Sequence, residues 1–386
     1  MLTLGADLYK MGRYKEDSIP PKEVIQMKSA LEATPLREAY QDLFMIGAAI
    51  NSWNTEDPAY RALILRHFNS ITAENEMKPG LVLDHAKTLE MHDSISTAQD
   101  FTRVDKLLSF AKENGIRVRF HVLCWHGQTP IWFFTEGWED VPFKTLIENG
   151  FKANFVSKET LLARQEYYIK SVMTHVNTCF PGVVYCWDVV NEAIEPSQNA
   201  PGGFREKSPW YQICGEDFLY AAFRAARKYQ APGQLLFYND YECYDEKKLE
   251  CILAVLKKLK EENLADGMGM QAHLNMDHPS MEMAERAARA YASLGLILQV
   301  TELDIHCPSA EPEAQAALAK RYEDYFSILV RLKKEGIPVS SATFWGLTDR
   351  DSWLTGFRKC PSFPLLFTGE KEIKPAFDAV IGLARK

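Results

Sequence analysis

Residues 296–305 read LILQVTELDI, a short run of aliphatic and β-branched residues that carries acids near its C-terminal end. This length and composition are typical of a β-strand that is buried on both faces of a sheet. The chain contains further runs of this kind at 44–51, 70–76, 118–124, 183–191, 235–240, 267–274 and 341–347. Strands buried on both faces belong to parallel sheets that helices cover, so the runs indicate an α/β fold.

Helical patterns lie between these runs. The apolar residues of 104–111 repeat at the spacing of one helix face, and Gly115 follows as a stop signal. The same spacing recurs over 252–259 and 284–291, the latter after a Pro-Ser start at 279–280. Eight strands that alternate with helices predict a single-domain (β/α)8 TIM barrel, with a doubly wound open sheet as the alternative.

The composition is that of a folded protein. Of the 386 residues, 46% are hydrophobic and 25% are charged, a balance that excludes a disordered chain. The 52 acidic residues outnumber the 44 basic ones, which argues against nucleic acid as a partner. Because one barrel can reach this size, we predict an N-terminal extension over residues 1–37 and one (β/α)8 domain over residues 38–386.

The sequence lacks patterns of export and membrane insertion. Its first residues contain no basic segment followed by an apolar one, and no apolar run approaches the roughly 20 residues of a membrane span. We therefore predict a cytoplasmic protein with no membrane partner; the alternative is a secreted protein whose signal has been removed. The eight cysteines form no CxxC pair, so neither a disulfide framework nor a zinc ribbon is expected.

Polar and aromatic residues cluster where the predicted strands end. The C-terminal strand ends of a barrel meet at one face, so these side chains are expected to converge in one pocket. The candidates are Glu74, Asn75, Lys78, His121, Trp125, Gln128, Asn191, Glu192, Tyr241, Gln271, His273, Glu302, Asp304, Trp345 and Trp353. Two enlarged connections, 133–159 and 194–214, follow the third and fourth runs and are expected to form the walls of a cleft.

Strand periodicity assigns some of these side chains to faces. Alternation with a period of two places Val300, Glu302 and Asp304 on one face of the run at 296–305. Gln271 and His273 likewise share a face of their own run. Two acids and a histidine on neighbouring strands suggest a hydrogen-bonded group that orients one carboxylate.

Asn191 and Glu192 impose a condition on the local backbone. Adjacent residues point to opposite faces of a regular strand. Both side chains can therefore reach one pocket only if the strand ends or bulges at this point.

Two other chemistries fit the residues less well. His121, Cys124 and His126 are close in sequence, but their spacing matches no standard zinc site, and we predict no metal. The segment GMGMQA at 267–272 imitates a dinucleotide-binding fingerprint without the helix that must follow it, and we predict no cofactor.

Tryptophans accompany the acids and amides of the candidate set. An indole ring offers a flat apolar face to a sugar ring, and neighbouring polar groups can bind the hydroxyls. Trp125, Trp345 and Trp353 stand in such positions, whereas Trp187 lies inside a predicted strand and is expected in the core. Paired carboxylates with aromatic platforms indicate a glycoside as the substrate.

Taken in order, these segments resemble glycoside hydrolase family 10, the retaining endo-β-1,4-xylanases. The resemblance runs from about residue 43 to the C-terminus. It is carried by ITAENEMK (71–78), HVLCWHGQTP (121–130), WDVVNEA (187–193), NDY (239–241), QAHL (271–274), TELDI (301–305) and WGLTDRDSW (345–353). The connection at 133–159 is longer than the family's segment, and Gly127 stands where the family often has serine.

The resemblance implies a role for each candidate. Glu302 is implied as the nucleophile and Glu192 as the acid/base, with carboxyl groups roughly 5–5.5 Å apart and a pKa of Glu192 that is higher while Glu302 is anionic. Asn191 is implied to bind the 2-hydroxyl of the sugar next to the cleaved bond, and Asp304 to hold His273. The remaining roles are the glycone side for Glu74, Asn75, Lys78, His121, Trp125 and Gln128, the flanks of the nucleophile for Gln271 and His273, the cap of the sugar before the cut for Trp345 and Trp353, and the aglycone side for Tyr241.

The predicted function is hydrolysis of internal β-1,4-xylosidic bonds in xylan or xylo-oligosaccharides by a retaining double displacement. A cytoplasmic enzyme of this kind would trim imported xylo-oligosaccharides. The alternatives are a β-1,4-glucan or mixed-linkage glucan hydrolase on the same barrel and a non-catalytic sugar-binding protein. The carboxylate pair argues against the last, because a binding protein has no use for both acids.

Overall fold

A computed structural model of the protein describes residues 28–385. The predicted extension over residues 1–37 therefore lies mostly outside the described residues. Its last part packs against the barrel, because Ala30 and Leu36 are fully buried and Ser29 bridges to Glu372. The boundary at residue 38 stays a prediction.

Parallel strands form a closed barrel. They are β1 (Met45–Ile50), β2 (Ser70–Ala73), β3 (Arg117–Phe120), β4 (Val184–Asn191), β5 (Leu235–Asp240), β6 (Gly267–Met270), β7 (Ile297–His306) and β8 (Val339–Phe344). Each strand pairs with the next along the chain, and β8 pairs with β1, so the sheet closes on itself. This closure confirms the predicted (β/α)8 barrel and excludes the open sheet.

Helices surround the barrel. They are α1 (Leu36–Ala39), α2 (Pro58–His67), α3 (Pro79–Val82), α4 (His85–Leu89), α5 (Thr102–Glu113), α6 (Phe143–Glu148), α7 (Lys158–Cys179), α8 (Pro209–Cys214), α9 (Asp217–Tyr229), α10 (Glu246–Glu261), α11 (Met281–Ser293), α12 (Pro312–Lys334), α13 (Leu354–Arg358) and α14 (Pro375–Ala384). Within residues 28–385, every helix is too short or too polar to span a lipid bilayer.

Local sequence signals set the ends of the helices. The Ser280 side chain caps α11 by accepting a hydrogen bond from the backbone N–H of Met283. Helix α5 ends at Glu113, and Gly115 follows with a φ of 63°, a left-handed conformation that glycine adopts without steric cost. The three helical patterns found in the sequence are confirmed as α5, α10 and α11.

A β-bulge in β7 breaks the expected alternation. Relative to β8, β7 contains an extra residue between Val300 and Leu303. As a result Thr301 and Glu302 both reach the Asn239 side chain, at 2.7 Å each, while Val300 and Leu303 pack in the outer apolar core. The prediction that Val300 shares a face with Glu302 is wrong, because the bulge shifts the alternation by one residue.

Two predicted strands are shorter than their apolar runs. The run at 118–124 divides into β3 and a short strand at Cys124–Trp125, and the run at 267–274 divides into β6 and a short strand at His273–Asn275. Ala272 has a φ of 63°, which interrupts the second run and redirects the chain at the rim of the barrel.

Candidate active site

The C-terminal ends of the strands border one cleft of about 660 Å³. Most of the candidates line it directly. They are Lys78, His121, Trp125, Gln128, Asn191, Glu192, Tyr241, Gln271, His273, Glu302, Trp345 and Trp353. The other three, Glu74, Asn75 and Asp304, lie behind this lining and contact it or its neighbours.

Glu302 lies at the base of the cleft and is 5% exposed. The Asn239 amide donates to its Oε1 at 2.7 Å, and His273 Nε2 donates to its Oε2 at 3.1 Å. The other nitrogen of His273, Nδ1, lies 2.9 Å from Asp304 Oδ1. The structure therefore contains the expected group of two acids and a histidine, with Glu302 as the carboxylate that the group orients.

The charges of this group favour an anionic Glu302. Burial raises the pKa of Glu302, but the hydrogen bond from His273 and the charges of His121, His273 and Lys78 outweigh burial and lower the pKa to about 2. Burial lowers the pKa of His273, but Asp304 and Glu302 outweigh it and raise the pKa to about 10. At neutral pH the pair is a carboxylate held by an imidazolium.

The backbone turns at Glu192 so that two adjacent side chains reach the cleft. Strand β4 ends at Asn191, and Glu192 has a φ of 55°, a left-handed value that is unusual for a residue with a side chain. The Asn191 amide donates to Glu192 Oε1 at 3.0 Å, so both side chains lie on the same side. The sequence required a strand end or a bulge at this point, and the structure has a strand end.

Side-chain amides connect the two carboxylates. Asn239 Nδ2 donates both to Glu302 and, at 2.9 Å, to Asn191 Oδ1. Gln271 Nε2 donates to Asn191 Oδ1 at 3.1 Å and to Glu192 Oε1 at 2.9 Å. These bonds fix the carboxylates relative to each other before any substrate arrives.

Glu192 has a different electrostatic environment. Desolvation in the cleft raises its pKa, whereas the charge of His126 and hydrogen bonds from Gln271 and Trp125 lower it, and the balance lies below the ordinary value. His126 contributes only when protonated, and burial lowers the pKa of His126 to about 4. Above that pH the imidazole is neutral, so its lowering effect on the pKa of Glu192 is lost, while the hydrogen bonds from Gln271 and Trp125 remain. We therefore expect Glu192 to hold a proton more readily than Glu302.

Aromatic rings and one lysine line the cleft beside the carboxylates. Trp125 Nε1 donates to Glu192 Oε2 at 2.9 Å, and Trp353 Nε1 donates to Asp304 Oδ2 at 2.9 Å. Lys78 Nζ lies 5.0 Å from the centroid of Trp125 and 5.9 Å from that of Trp345. Trp187, by contrast, is fully buried, as predicted.

Two functional neighbours were not among the sequence candidates. Asn239 stands in the quoted NDY segment, so its position at a strand end was a usable signal. Arg205 lies in the 194–214 connection, where no pattern marks it. Its Nε donates to the backbone carbonyl of Glu192 at 3.0 Å, and its Nη2 donates to the Tyr241 hydroxyl at 2.9 Å.

Glycines make room for the charged lumen below the site. Arg119 and Asp188 form a fully buried ion pair there, and His121 Nδ1 lies 2.9 Å from Asp188 Oδ2. A Cβ on Gly269 would lie 2.8 Å from Arg119 Nη2 and closer still to Asn239 Oδ1. The glycines of GMGMQA therefore serve packing inside the barrel.

Gly269→Ala is expected to destabilise the protein by about 1–3 kcal/mol, because the added methyl overpacks a rigid interior. Urea unfolding followed by circular dichroism measures the change. Gly382→Ala is the matched control, since its Cβ meets no atom within 4 Å and alanine suits a helix interior better by about 0.5–1 kcal/mol. Equal stability of the Gly269→Ala variant and the parent would contradict the packing role.

His273→Gln is expected to move the acidic limb of the kcat/KM profile to higher pH. The change removes the hydrogen bond and charge that hold the pKa of Glu302 near 2, so the pKa returns towards 4.5 and the anion is lost at higher pH. The raised pKa of His273 also stabilises the fold below pH 6.5, and this contribution is lost as the pH rises through about 10. The free energies of unfolding of parent and variant should therefore converge at alkaline pH. An acidic limb of the kcat/KM profile that stays unchanged in the variant would contradict the role of His273 in keeping Glu302 anionic.

Metal-ligating residues do not gather elsewhere in the part of the chain described. Residues 28–385 contain no group of three His, Cys, Asp or Glu side chains that could hold an ion. Cys124 lies in the core beside Gln165, and His121 is engaged by Asp188, so the sequence cluster does not converge on one point. The cysteines are free thiols.

A barrel whose strand ends hold two carboxylates among amides and indoles has the architecture of a glycoside hydrolase. The sequence profile of glycosyl hydrolase family 10 matches residues 35–383. The chain belongs to this family, and the resemblance seen in the motifs is confirmed.

Named relatives agree with this membership. The chain is 44% identical over 355 residues to endo-1,4-beta-xylanase B of Butyrivibrio fibrisolvens, a match that covers 90% of this chain and 53% of the relative. It is 37% identical over 363 residues to endo-1,4-beta-xylanase A of Thermotoga maritima, covering 92% of this chain and 31% of the relative. The chain thus spans about half or less of the length of these relatives.

A solved structure has the same fold. The N-terminal endo-1,4-beta-D-xylanase 10B of Clostridium thermocellum, complexed with xylohexaose, superposes with a TM-score of 0.80 at 33% identity. The superposition covers 90% of this chain and 67% of that one.

Proposed function

We propose that the protein hydrolyses internal β-1,4-xylosidic bonds of xylan or xylo-oligosaccharides with retention of configuration. The observation that carries the proposal is the pair of carboxylates in one cleft, held by shared amides but surrounded by different partners. Glu302 is surrounded by positive groups that keep it anionic, and Glu192 is bordered by neutral donors. Membership of glycosyl hydrolase family 10 and the xylanase names of its relatives support the same activity.

In the first step Glu302 attacks the anomeric carbon and Glu192 protonates the departing oxygen. Glu302 can act as the nucleophile because its low pKa keeps the carboxylate ionised at neutral pH. The hydrogen bond from His273 fixes the orientation of this carboxylate. The bond to the leaving sugar breaks as the ester to Glu302 forms, and the proton of Glu192 goes to the leaving oxygen.

In the second step water replaces the departed sugar. Glu192 takes a proton from the water, which attacks the anomeric carbon and releases Glu302. The charge of Glu302 is absent while the ester exists, so the pKa of Glu192 falls and the carboxylate can act as a base. Two inversions leave the product with the configuration of the substrate.

The remaining lining residues suit a pyranose chain. Trp125, Trp345 and Trp353 offer apolar ring faces, and Lys78 and Asn191 offer hydrogen-bond donors for hydroxyls. We assign Asn191 to the 2-hydroxyl, as in the family pattern, because its amide donates to Glu192 and accepts from Asn239, which in turn donates to Glu302. The other assignments follow the family pattern, with Glu74, Asn75, His121 and Gln128 towards the glycone and Tyr241 towards the aglycone.

Rates on defined substrates test the proposal. Purified protein is expected to release reducing ends from xylan and xylohexaose faster than from cello-oligosaccharides of equal length, and proton NMR of early products should show the β-anomer first. Equal or reversed rates would favour the β-1,4-glucanase alternative. An α-anomer would reject the retaining mechanism.

We further propose that residues 38–386 act as one catalytic domain in the cytoplasm, on imported xylo-oligosaccharides. Support comes from the free cysteines, since exported proteins often cross-link theirs. Fractionation of the source cells with an antibody to the protein tests the location, and recovery of the protein from the culture medium would reject it.

A further inference from the structure

A second depression of about 590 Å³ adjoins the active-site cleft. It lies between residues 150–155 and residues 206–212, that is, between the two enlarged connections. Lys207 lines both cavities, and Phe151 of the cleft stands between Gly150 and Lys152 of the depression. The two cavities are therefore neighbours along one surface groove.

The first wall of the depression is held by main-chain hydrogen bonds. Glu136 N donates to Asn154 O at 2.9 Å, and Val156 N donates to Phe134 O at 3.0 Å. Phe155 also bridges to Thr135 in antiparallel fashion. These bonds tie the wall to the short helical turns at 131–138.

The second wall is anchored to the first by a buried tryptophan. Trp210 of α8 is 2% exposed, and its ring centroid lies 4.9 Å from that of Phe134 and 5.6 Å from that of Phe133. The contact with Phe134 is edge-to-face, with planes at 87°, and such packing stabilises a contact beyond the area that is buried. The groove between the walls is thus built into the fold.

The depression lies on the acid/base side of the cleft. Arg205, which binds the carbonyl of Glu192, is two residues before Lys207, and Tyr241 is the other partner of Arg205. Lys78, which the family pattern assigns to the glycone side, lines the cleft but not the depression, and its Nζ lies 5.0 Å from the centroid of Trp125 and 5.9 Å from that of Trp345. Because Glu192 protonates the departing oxygen, a chain that leaves past Glu192 and Tyr241 runs towards Lys207.

The lining has the chemistry of a saccharide site. Tyr211 stacks on Phe204 with centroids 5.4 Å apart and planes at 15°, which fixes the ring that borders the depression. Phe155 adds a second aromatic group. Lys152, Glu206, Lys207 and Gln212 surround them with hydrogen-bonding groups. Flat rings with polar neighbours are suited to stack sugars and bind their hydroxyls.

We propose that this depression is an additional aglycone subsite, which binds unbranched β-1,4-xylan beyond the sugar that contacts Tyr241. The inference rests on the proposed function, because it extends the same substrate along the same groove. The enlarged 133–159 connection then determines which bond of a long chain is cut, since occupancy of the subsite favours longer leaving fragments.

The test is a cleavage-frequency measurement with reducing-end-labelled xylotetraose to xylo-octaose. In the parent, kcat/KM should keep rising with chain length, and the longer substrates should be cut to release longer labelled fragments. Tyr211→Ala should lower kcat/KM on the longest substrates by roughly 5- to 10-fold, the value of one lost aromatic contact, and shift the cuts towards shorter labelled fragments. Tyr229→Ala is the matched control, because Tyr229 is the last residue of α9, is half-buried and lines neither the cleft nor the depression.

An aryl β-xylobioside separates subsite loss from loss of catalysis. Its nitrophenyl leaving group is too short to reach Tyr211, so Tyr211→Ala should cleave it at the parental rate. Two results would overturn the proposed subsite while leaving the xylanase proposal intact. One is a dependence of kcat/KM and of cleavage position on chain length that is the same for Tyr211→Ala and Tyr229→Ala. The other is an effect of Tyr211→Ala that is confined to higher activity on branched xylan. Absence of hydrolysis in the parent would overturn the proposed function instead.

Discussion

Glu302→Ala is expected to abolish hydrolysis, with kcat/KM on xylo-oligosaccharides reduced by roughly 10⁵-fold or more. Glu302 is the carboxylate that its surroundings keep anionic, because it receives hydrogen bonds from Asn239 and His273 and has a pKa near 2. Without it there is no group to form the covalent intermediate. The measurement is initial rate on xylohexaose and on an aryl β-xylobioside.

Loss of the nucleophile must affect every substrate alike. An activated leaving group does not rescue a missing nucleophile, so the aryl substrate should be as inert as xylohexaose. Added azide should yield no β-glycosyl azide, because the retained product needs the first displacement. Glu166→Ala, on the surface beside Lys228, is the control and should keep parental rates. Formation of the β-azide by the Glu302→Ala variant would show that the two roles are exchanged.

Glu192→Ala should reduce hydrolysis of xylan by about 10²–10⁴-fold, the range typical of a lost general acid. The effect should depend on the leaving group. A dinitrophenyl xylobioside needs no proton to depart, so its first step should remain fast and release a burst of dinitrophenol. Hydrolysis of the ester then becomes slow, because no base activates the water.

Azide distinguishes this variant from the first. It needs no base, and the cavity left by the Glu192 side chain lies beside the anomeric carbon. Azide should therefore accelerate turnover and yield the β-glycosyl azide, which proton NMR identifies. The alkaline limb of the pH profile should disappear as well, because it reports the acid. Equal losses on xylan and on the dinitrophenyl substrate would contradict the acid/base role.

Much of this arrangement could be predicted from the order of apolar runs and polar ends. β5 coincides with its predicted run at 235–240. Barrel topology alone brings Glu192, directly after the fourth strand, near Glu302, in the C-terminal half of the seventh, because the C-terminal parts of the strands share one face. The sequence motifs identified the candidate residues, and the structure places twelve of them in the lining of one cleft.

The parts that were not predicted depend on contacts between distant segments. Period-two reasoning cannot locate the bulge in β7, which depends on how that strand pairs with β8. No sequence pattern marks Arg205, because its role depends on a tertiary contact. Its guanidinium binds the backbone carbonyl of Glu192, just after β4, from the 194–214 connection. The proton affinity of Glu192 depends on whether His126 is charged, and that follows from burial.

The bond from Arg205 to the carbonyl of Glu192 has a consequence for chimeric enzymes. The connection at 194–214 contains both this arginine and one wall of the depression beside the cleft. Replacing this connection with that of a related barrel, in order to alter product length, therefore also replaces the arginine that binds the backbone carbonyl of Glu192. Donor loops should be chosen for an arginine at this point first and for their surface second.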